Sequence, residues 1–404
     1  MTLLLLVILA LVGHAFVWVA SINVSHATVL PERLVRSLTA ASFALAGLLP
    51  AALVGGFVAA GWSLAEPSDW LSLPWPVKLY LLMCTVAGAL AVARWTWRKA
   101  RPGHAAVERS FRCRRLGPLA PQSNLSPPLL VRMIGNEILQ LQVTQRELEL
   151  PRLTPALDGL KILHLSDLHF TGSIDQGYFR ELVGQCNALA PDMVAVTGDL
   201  IDHARYIAWI PETLGRLAAP LGVYFVLGNH DLRHEPERIR RTLCDCGLAD
   251  LGGRWIQIEV RGQPVVMAGN ELPWFAPAAD LAGAPPPSSQ GGPLRIALGH
   301  SPDQLPWARA SQVDLFLVGH THGGQIRLPV VGPIFSPCLT GVRYDRGTFD
   351  APPTVLHVTQ GVSARPPIRI NCPPEVVLLT LRAPARANRP ESSAGARGGP
   401  GLVD

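Results

Sequence analysis

Apolar residues are arranged differently in the first hundred residues and in the rest of the chain. Near the N-terminus they form three long runs, at residues 2–22, 38–64 and 77–97, and the first two runs contain no Asp, Glu, Lys or Arg. A helix of about 20 apolar residues spans the roughly 30 Å hydrocarbon core of a bilayer. The pattern therefore predicts a region of three transmembrane helices over residues 1–100.

Two other interpretations fit these runs less well. A cleaved secretory signal at residues 2–22 would carry Lys or Arg before its apolar part, whereas only Met1 and Thr2 stand there, and two more apolar runs follow. A buried helix of a soluble protein rarely extends over about 20 residues without charge. Indole rings favour the headgroup region of a membrane, and six tryptophans lie at or near the proposed helix ends: Trp18, Trp62, Trp70, Trp75, Trp95 and Trp97.

Further along the chain the apolar runs are short and are separated by amphipathic segments. The short runs predict strands at residues 142–150, 160–165, 193–197, 223–227, 255–260, 265–269, 294–298, 315–318, 355–358 and 376–381. The segments between them predict helices at residues 175–189, 206–217, 235–244 and 303–310. Short apolar strands that alternate with helices indicate an α/β core, with functional loops at the strand ends.

Composition divides the chain into further segments. Residues 101–141 form a basic and Pro-rich juxtamembrane linker, and residues 142–383 form the α/β domain. Within that domain, residues 277–293 are rich in Pro, Gly and Ser and predict a surface loop, with a lid over the site as the alternative. The last residues, 384–404, are expected to be disordered.

Basic residues predict the orientation of the helices. The loop between the first two runs carries Arg33 and Arg36, the loop between the second and third carries no Lys or Arg, and eight basic residues lie between Arg94 and Arg115. The positive-inside rule then places the N-terminus outside and the α/β domain in the cytoplasm, in the cell (inner) membrane. This basic stretch also suits acidic lipid headgroups, so the lipid bilayer is the expected partner and nucleic acid is not.

Composition adds two points to this picture. The hydrophobic content of 48% and the mean hydropathy of +0.24 are high for a soluble protein, and the excess lies in the first hundred residues. The seven cysteines are an odd number and contain no Cys-x-x-Cys pair, which agrees with a reducing compartment.

Five polar clusters each close an apolar run of the α/β region. They are Ser166-Asp167-Leu168-His169, Gly198-Asp199, Gly228-Asn229-His230-Asp231, Gly299-His300 and Gly319-His320-Thr321-His322. A lone Asp or His after a strand is usually a loop cap or a hydrogen-bonded core group, but five such clusters in succession indicate a metal site. Side chains two residues apart on a strand share a face, so the first and last clusters can each present two ligands.

The residue types suit a pair of cations and a phosphate ester. Asp199 has two carboxylate oxygens and can therefore ligate two ions at once, while Asn229 offers a neutral carbonyl and His300 and His320 offer neutral imidazoles. Two divalent ions bring a charge of +4 and the carboxylates of Asp167 and Asp199 bring −2, which leaves +2 for a hydroxide and an anionic phosphoryl group.

The clusters resemble the motifs of the calcineurin-like metallophosphoesterase superfamily. The resemblance covers residues 159–381, where the blocks D-x-H, GD, GNHD, H and GHTH all stand without substitution. Gly-His-Thr-His-Gly-Gly-Gln at 319–325 and the segment 367–375 are similar to a bacterial membrane-associated branch. The resemblance implies a four-layer αββα sandwich, in which two β-sheets pack face to face with helices outside.

The resemblance also implies a role for each residue. One metal would be held by Asp167, His169 and His322, the other by Asn229, His300 and His320, and Asp199 would bridge the two ions. His230 would protonate the leaving oxygen or steady the transition state, with Asp231 orienting it. Mn, Fe, Zn and Co all suit this mixed set of nitrogen and oxygen ligands. Three arginines on late loops, Arg327, Arg365 and Arg369, are candidates for clamping phosphate oxygens, and Asp202 and His203 are candidates for supporting the ligands.

The implied activity is metal-assisted hydrolysis of phosphomono- or phosphodiesters, by attack of a metal-bridging hydroxide. Lipid-linked esters are the leading substrate class, because a membrane anchor would hold the site near headgroups, and soluble nucleotide or sugar phosphates are the alternative. A nuclease would show a basic and aromatic track near the site, and only scattered arginines occur. A non-catalytic membrane scaffold would lack some ligands, and all seven are present. The sequence does not identify a protein partner.

Overall fold

The computed structural model describes residues 2–100, 108–118, 129–287 and 292–384. Its α-helices are α1 (Thr2–Ala27), α2 (Glu32–Ala59), α3 (Pro67–Leu71), α4 (Trp75–Ala100), α5 (Gln176–Ala188), α6 (Pro236–Asp245) and α7 (Leu305–Ala310). Its strands are β1 (Glu108–Pro118), β2 (Gln140–Glu149), β3 (Lys161–Leu165), β4 (Met193–Thr197), β5 (Val223–Val226), β6 (Ala249–Asp250), β7 (Trp255–Val260), β8 (Gln263–Asn270), β9 (Leu294–Gly299), β10 (Leu315–Val318), β11 (Arg327–Leu328), β12 (Gly332–Pro333), β13 (Gly347–Ala351), β14 (Thr354–Val358) and β15 (Glu375–Arg382).

Three of the N-terminal helices are long and apolar enough to cross a membrane, over Leu3–Ala27, Glu32–Ala59 and Trp75–Trp97. This confirms the prediction of three apolar helices and indicates a membrane protein. His14 of α1 ties the helices together, since its Nδ1 lies 2.7 Å from the Tyr80 hydroxyl on α4 and its Nε2 lies 3.0 Å from the Ala46 carbonyl on α2. Polar contacts of this kind fix helix packing where the surrounding lipid supplies no hydrophobic drive.

The α/β region contains two large sheets. One has seven strands in the order β1-β2-β15-β3-β4-β5-β6, and the other has six in the order β13-β14-β10-β9-β8-β7. Apolar side chains such as Ile162, Ile296 and Leu317 fill the space between the sheets. Helices α5 and α6 cover the outer face of the seven-stranded sheet, and α7 covers the outer face of the six-stranded sheet. The predicted four-layer αββα sandwich is therefore confirmed.

Strand β4 shows why the sequence builds this architecture. Its five residues are all buried, and successive side chains point to opposite faces of the sheet. Val194 and Val196 pack towards the outer helices, whereas Met193 and Ala195 pack towards the second sheet. A strand that is covered on both faces has a sequence that is apolar throughout. Polar side chains begin where the strand ends, at the edge of the sheet.

The structure differs from the sequence-based prediction in the linker, residues 101–141. Residues 108–118 form β1, which pairs antiparallel with β2 at the edge of the seven-stranded sheet. The Arg146 guanidinium packs over the Phe111 ring and contacts Glu108 at 2.8 Å. The strand could not be predicted from an apolar pattern because it carries many basic residues. Charged side chains are common on exposed edge strands, where they discourage further pairing. Residues 101–107 and 119–128 of this linker, 288–291 of the insertion and 385–404 of the predicted tail lie outside the described residues.

The ends of two membrane helices touch the loop that follows β10. Asn23, near the end of α1, accepts a hydrogen bond of 3.2 Å from the Ser336 amide. The His26 ring stands edge-on to Phe335, with 5.9 Å between ring centroids. The Trp95 indole near the end of α4 donates to the Val331 carbonyl at 3.2 Å. The α/β domain therefore lies against the ends of α1 and α4.

Candidate metal centre

Five loops converge where strands of both sheets end. In the seven-stranded sheet, β3, β4 and β5 are parallel neighbours, and the loops that follow them carry the first three polar clusters. In the six-stranded sheet, β9 and β10 are parallel neighbours, and they are followed by the last two clusters. Parallel strands end at the same edge of a sheet, which brings residues far apart in sequence to one place.

Six of the predicted ligands form two groups that share Asp199. Within each group the candidate ligand atoms lie within 4.8 Å of one another. The first group is Asp167, His169, Asp199 and His322, and the second is Asp199, His300 and His320. The structure therefore brings these side chains together in the arrangement that the resemblance implied.

Each histidine of the cluster uses one ring nitrogen to bond the protein and turns the other towards the centre. His169 Nδ1 lies 2.7 Å from an Asp202 carboxylate oxygen, and His300 Nδ1 and His320 Nε2 each lie within 2.7 Å of a backbone carbonyl oxygen. The remaining nitrogens face one another, with 3.2 Å between His169 Nε2 and His322 Nε2 and 3.1 Å between His320 Nδ1 and His300 Nε2. Bonding one nitrogen in this way fixes the ring and frees the other as a ligand.

Asn229 provides an independent test of whether the cluster suits a cation. Its side chain is 6% exposed, and Oδ1 is buried without a hydrogen-bond partner among the described residues. A buried amide oxygen without a partner is costly, and a cation would satisfy it. Together with the imidazole nitrogens and carboxylates, this oxygen makes a donor set that fits divalent metal ions.

The backbone of the ligand loops is held in an uncommon conformation. Five ligands have positive φ angles, between 46° and 68°, in the left-handed region that side chains with a Cβ rarely adopt: Asp167, His169, Asp199, His320 and His322. Glycine is required beside two of them, since a Cβ on Gly198 would lie 2.7 Å from His300 Nδ1 and a Cβ on Gly319 would lie 2.5 Å from an Asp167 oxygen. Strain of this kind concentrates at functional sites.

Charges in the cluster are strongly coupled. Burial favours the neutral form of Asp199, yet His300, His230 and His169 hold its pKa well below the usual range. Burial also opposes charge on His300, but Asp199 and Asp167 raise the pKa of that imidazole to about 9. Burial and the neighbouring imidazole of His300 keep the pKa of His320 well below its usual range. The ionised form of Asp199 is thus favoured by its positive neighbours, and burial favours the neutral form of His320, which is the form that can bind a metal.

His230 lies at the edge of the cluster. Its backbone N–H donates to Asp199 Oδ1 at 2.8 Å, and its ring Nδ1 lies 2.5 Å from Asp202 Oδ1. The side chain is 18% exposed, whereas that of Asp199 is 1% exposed. The His230 ring therefore lies on the accessible side of the centre with its Nε2 3.9 Å from Asp199 Oδ2, where an imidazole can exchange a proton with a bound ester.

The structure does not agree with the prediction that Asp231 orients the His230 ring. The Asp231 carboxylate accepts hydrogen bonds from the backbone N–H groups of Leu200, Ile201 and Gly228, and so holds two ligand loops together. The carboxylate that contacts the His230 ring belongs to Asp202.

Asp202 connects three side chains at the centre. It is fully buried and contacts His169 and His230 through their Nδ1 atoms, and the Arg365 guanidinium donates to it at 2.7 Å. Burial alone would raise the pKa of Asp202, but the two imidazoles hold it well below the usual range. His203, the other candidate for this role, is exposed. The carboxylate thus holds the Nδ1 side of both rings, and the Nε2 atoms of His169 and His230 face Asp199.

The position of Arg369 does not agree with phosphate binding. Its side chain is fully buried, and the guanidinium donates to the backbone carbonyl oxygens of Ser363 and Gln360. Arg327 instead pairs with Asp345. Of the three arginines, Arg365 is the one that combines contact with the centre and an exposed fraction of 35%.

Comparisons with known proteins agree with this geometry. A family model for calcineurin-like phosphoesterases matches residues 160–324. The chain is 30% identical over 226 residues to Phosphodiesterase YaeI of Escherichia coli (strain K12), which covers 55% of this chain and 82% of that protein. It is 28% identical over 270 residues to the Transmembrane protein with metallophosphoesterase domain of Danio rerio, and the matched region covers 60% of this chain and 57% of that protein. It is 24% identical over 293 residues to UDP-2,3-diacylglucosamine pyrophosphatase LpxG of Chlamydia muridarum (strain MoPn / Nigg), and the matched region covers 59% of this chain and 88% of that protein.

The two-sheet fold, the cluster of ligands around Asp199 and these matches define a metal-dependent phosphoester hydrolase. The chain belongs to the calcineurin-like metallophosphoesterase family. The predicted family is thereby confirmed.

Proposed function

We propose that this chain is a membrane-anchored phosphoesterase with two divalent metal ions, and that it hydrolyses phosphomono- or phosphodiesters of lipids. The observation that carries the proposal is the position of Asp199, which belongs to both groups of ligand atoms. A carboxylate shared in this way is expected between paired cations. The membrane is the cell (inner) membrane, and the catalytic domain faces the cytoplasm, because the basic residues flank that side of the helices.

Each residue has a part in the proposed reaction. Asp167, His169, Asp199 and His322 would hold one ion, and Asn229, His300 and His320 would hold the other together with Asp199. When bound, such ions lower the pKa of water and neutralise charge on a phosphoryl group. His230 delivers a proton from Nε2 to the leaving oxygen, and Asp202 keeps the Nδ1 proton in place during the transfer.

Lipid esters are favoured over soluble nucleotide or sugar phosphates by the position of the centre. The loop at residues 335–337 contacts both the end of α1 and a candidate ligand, so the site lies close to the membrane surface. The relative from Chlamydia muridarum is named for action on a diacylated sugar nucleotide, which also supports a lipid-linked substrate. A non-catalytic scaffold is disfavoured because the sequence retains all seven candidate ligands and His230.

One experiment tests the proposal. The full chain, purified in detergent, is analysed for bound metal and assayed on lipid phosphodiesters, nucleotides and bis(p-nitrophenyl) phosphate. We expect about two divalent ions per chain, hydrolysis that a chelator abolishes, and recovery of activity with one or more of Mn, Fe, Zn and Co. Absence of stoichiometric metal together with absence of ester cleavage would contradict the proposal and favour the scaffold.

A further inference from the structure

A groove lies between α1 and α2 in the part of the helices that adjoins the catalytic domain. Its volume is about 400 Å³, within the range of roughly 300–1,000 Å³ for sites that bind small molecules. It is lined by Val17, Ala20, Ser21 and Val24 of α1, by Thr28 just after that helix, and by Leu38 of α2. The α1 residues recur at spacings of three and four, so they form one face of the helix.

The groove presents hydrocarbon despite its hydroxyl groups. The Ser21 hydroxyl is bonded to Ser42 at 3.2 Å, and the Thr28 hydroxyl donates to the Val24 carbonyl at 3.1 Å. Ser25, a further lining residue, donates to the carbonyl one turn back. Hydroxyls bonded within or between helices are satisfied without a ligand, and they leave methyl and methylene groups as the lining surface. The groove therefore suits a hydrocarbon chain.

The end of α1 that carries the groove also contacts the catalytic domain. Val24 and Thr28 lie at the same level along the chain as Asn23 and His26, which project from the other side of α1 and contact Ser336 and Phe335. The next residue of that loop, Pro337, accepts a hydrogen bond of 2.6 Å from His320 Nε2. Three consecutive loop residues thus join the end of the groove to a candidate metal ligand.

The turn between α1 and α2 approaches the centre by a second route. Leu30 lines the groove, and two residues later the Glu32 carboxylate lies 4.0 Å from the Arg365 guanidinium. Arg365 in turn donates to Asp202, which contacts His230. The chain segments beside the groove therefore contact the catalytic domain near the accessible side of the cluster, where the His230 ring is partly exposed. A chain in the groove would carry its polar end towards that side.

We propose that this groove holds the hydrocarbon chain of the substrate while its phosphoryl group lies at the metal centre. The proposal rests on the proposed function and deepens it by assigning the place where the alkyl or acyl chain of the lipid ester binds. The hydrocarbon chain moves into the groove from lipid and not from water, so its binding gains little hydrophobic free energy. The groove instead contributes to catalysis by aligning the ester with the metal centre. Blocking the groove should therefore slow long-chain esters and spare short ones.

The test compares two substrates that have the same leaving group and differ in the length of the alkyl chain. They are hexadecyl p-nitrophenyl phosphate and ethyl p-nitrophenyl phosphate. The full chain is reconstituted with Mn²⁺ in phosphatidylcholine nanodiscs and assayed for p-nitrophenolate. Ala20→Phe fills the groove from α1, and Leu38→Trp fills it from α2. Ala15→Phe is the matched control, because Ala15 lies on the same helix, is exposed and does not line the groove.

We expect each groove variant to lower turnover of the hexadecyl ester about tenfold and to change turnover of the ethyl ester less than about twofold. The Ala15→Phe control should match the unmodified chain on both esters. If a folded groove variant affects the two esters equally, the proposal that the groove binds the hydrocarbon chain is overturned. Failure of the unmodified chain to cleave either ester would instead contradict the proposed function.

Photo-cross-linking tests the groove without turnover. A non-hydrolysable hexadecyl phosphonate with a diazirine in the middle of its chain should label residues 17–28 and 30–38, and Ala20→Phe should reduce that labelling at least about fivefold. Labelling spread evenly over the exposed faces of α1, α2 and α4 would show ordinary lipid contact and would overturn the proposal.

Discussion

Asp199→Asn is expected to abolish hydrolysis, with a fall in turnover of more than about a thousandfold and a loss of at least one of the two metal ions. The carboxylate is buried, is shared by both groups of ligands and carries half of the negative charge that Asp167 and Asp199 supply. An amide offers one carbonyl oxygen and no charge, so it cannot hold two cations together. Asparagine has nearly the same shape and tolerates the φ of 54° at this position, so the fold should survive.

Asp192→Asn is the matched control for this prediction. Asp192 stands just before β4, whereas Asp199 follows the other end of the strand, and the Asp192 carboxylate accepts a backbone hydrogen bond from Lys161. Metal analysis and turnover are measured on both variants and the unmodified chain. The control should retain its metal and its activity. Asp199→Asn protein that keeps two ions and normal turnover would exclude the bridging role.

His230→Ala should keep the metal and lower turnover by about a hundredfold or more. The contact between His230 and Asp199 is made by the backbone N–H, which alanine retains, so the ligand loops should remain in place. The ring supplies a proton to the leaving oxygen and also contacts Asp202. The loss should be large for esters with alkoxide leaving groups and small for p-nitrophenyl esters, because p-nitrophenolate departs without a proton.

The control for His230→Ala is His203→Ala. The His203 ring is exposed and lies outside the groups of candidate metal ligands, so this variant should behave as the unmodified chain. Metal content is measured by elemental analysis and turnover on paired alkyl and p-nitrophenyl esters. If His230→Ala cleaves alkyl esters at the normal rate, proton transfer must come from another group.

The seven candidate ligands could be proposed from the sequence because the chemistry of such a site imposes a local pattern. A ligand must follow the end of a buried strand, and an apolar run that stops at Gly198-Asp199 or Gly319-His320 makes that end visible. The metal pairing came from the family resemblance, and Asp199 shared between two groups agrees with it. The membrane helices were predicted for a similar reason, since crossing a bilayer requires a long run without charge.

Contacts between distant loops could not be predicted in the same way. Asp231 follows His230 directly, yet its carboxylate turns under the backbone of the neighbouring loop, while Asp202 from another loop reaches the ring. Arg369 is a charged residue on a late loop, and nothing local indicates that backbone carbonyls would bury its guanidinium. Such contacts depend on how loops pack and not on the residues beside them.

The contact between α1 and the catalytic domain is another feature that only tertiary structure provides. Asn23 and His26 have no recognisable motif, and Phe335 and Ser336 lie more than 300 residues later. Their contacts place the ends of the membrane helices beside His320 through Pro337. The fold thus joins an apolar region and a polar centre that the sequence predicts separately.

The central claim is that two cations share Asp199. A crystal of the Mn²⁺-loaded protein, measured at the manganese absorption edge, tests it directly through anomalous difference density. We expect two peaks, one beside Asp167, His169 and His322 and the other beside Asn229, His300 and His320, with Asp199 in contact with both. A single peak, or a pair of peaks that Asp199 does not bridge, would contradict the account.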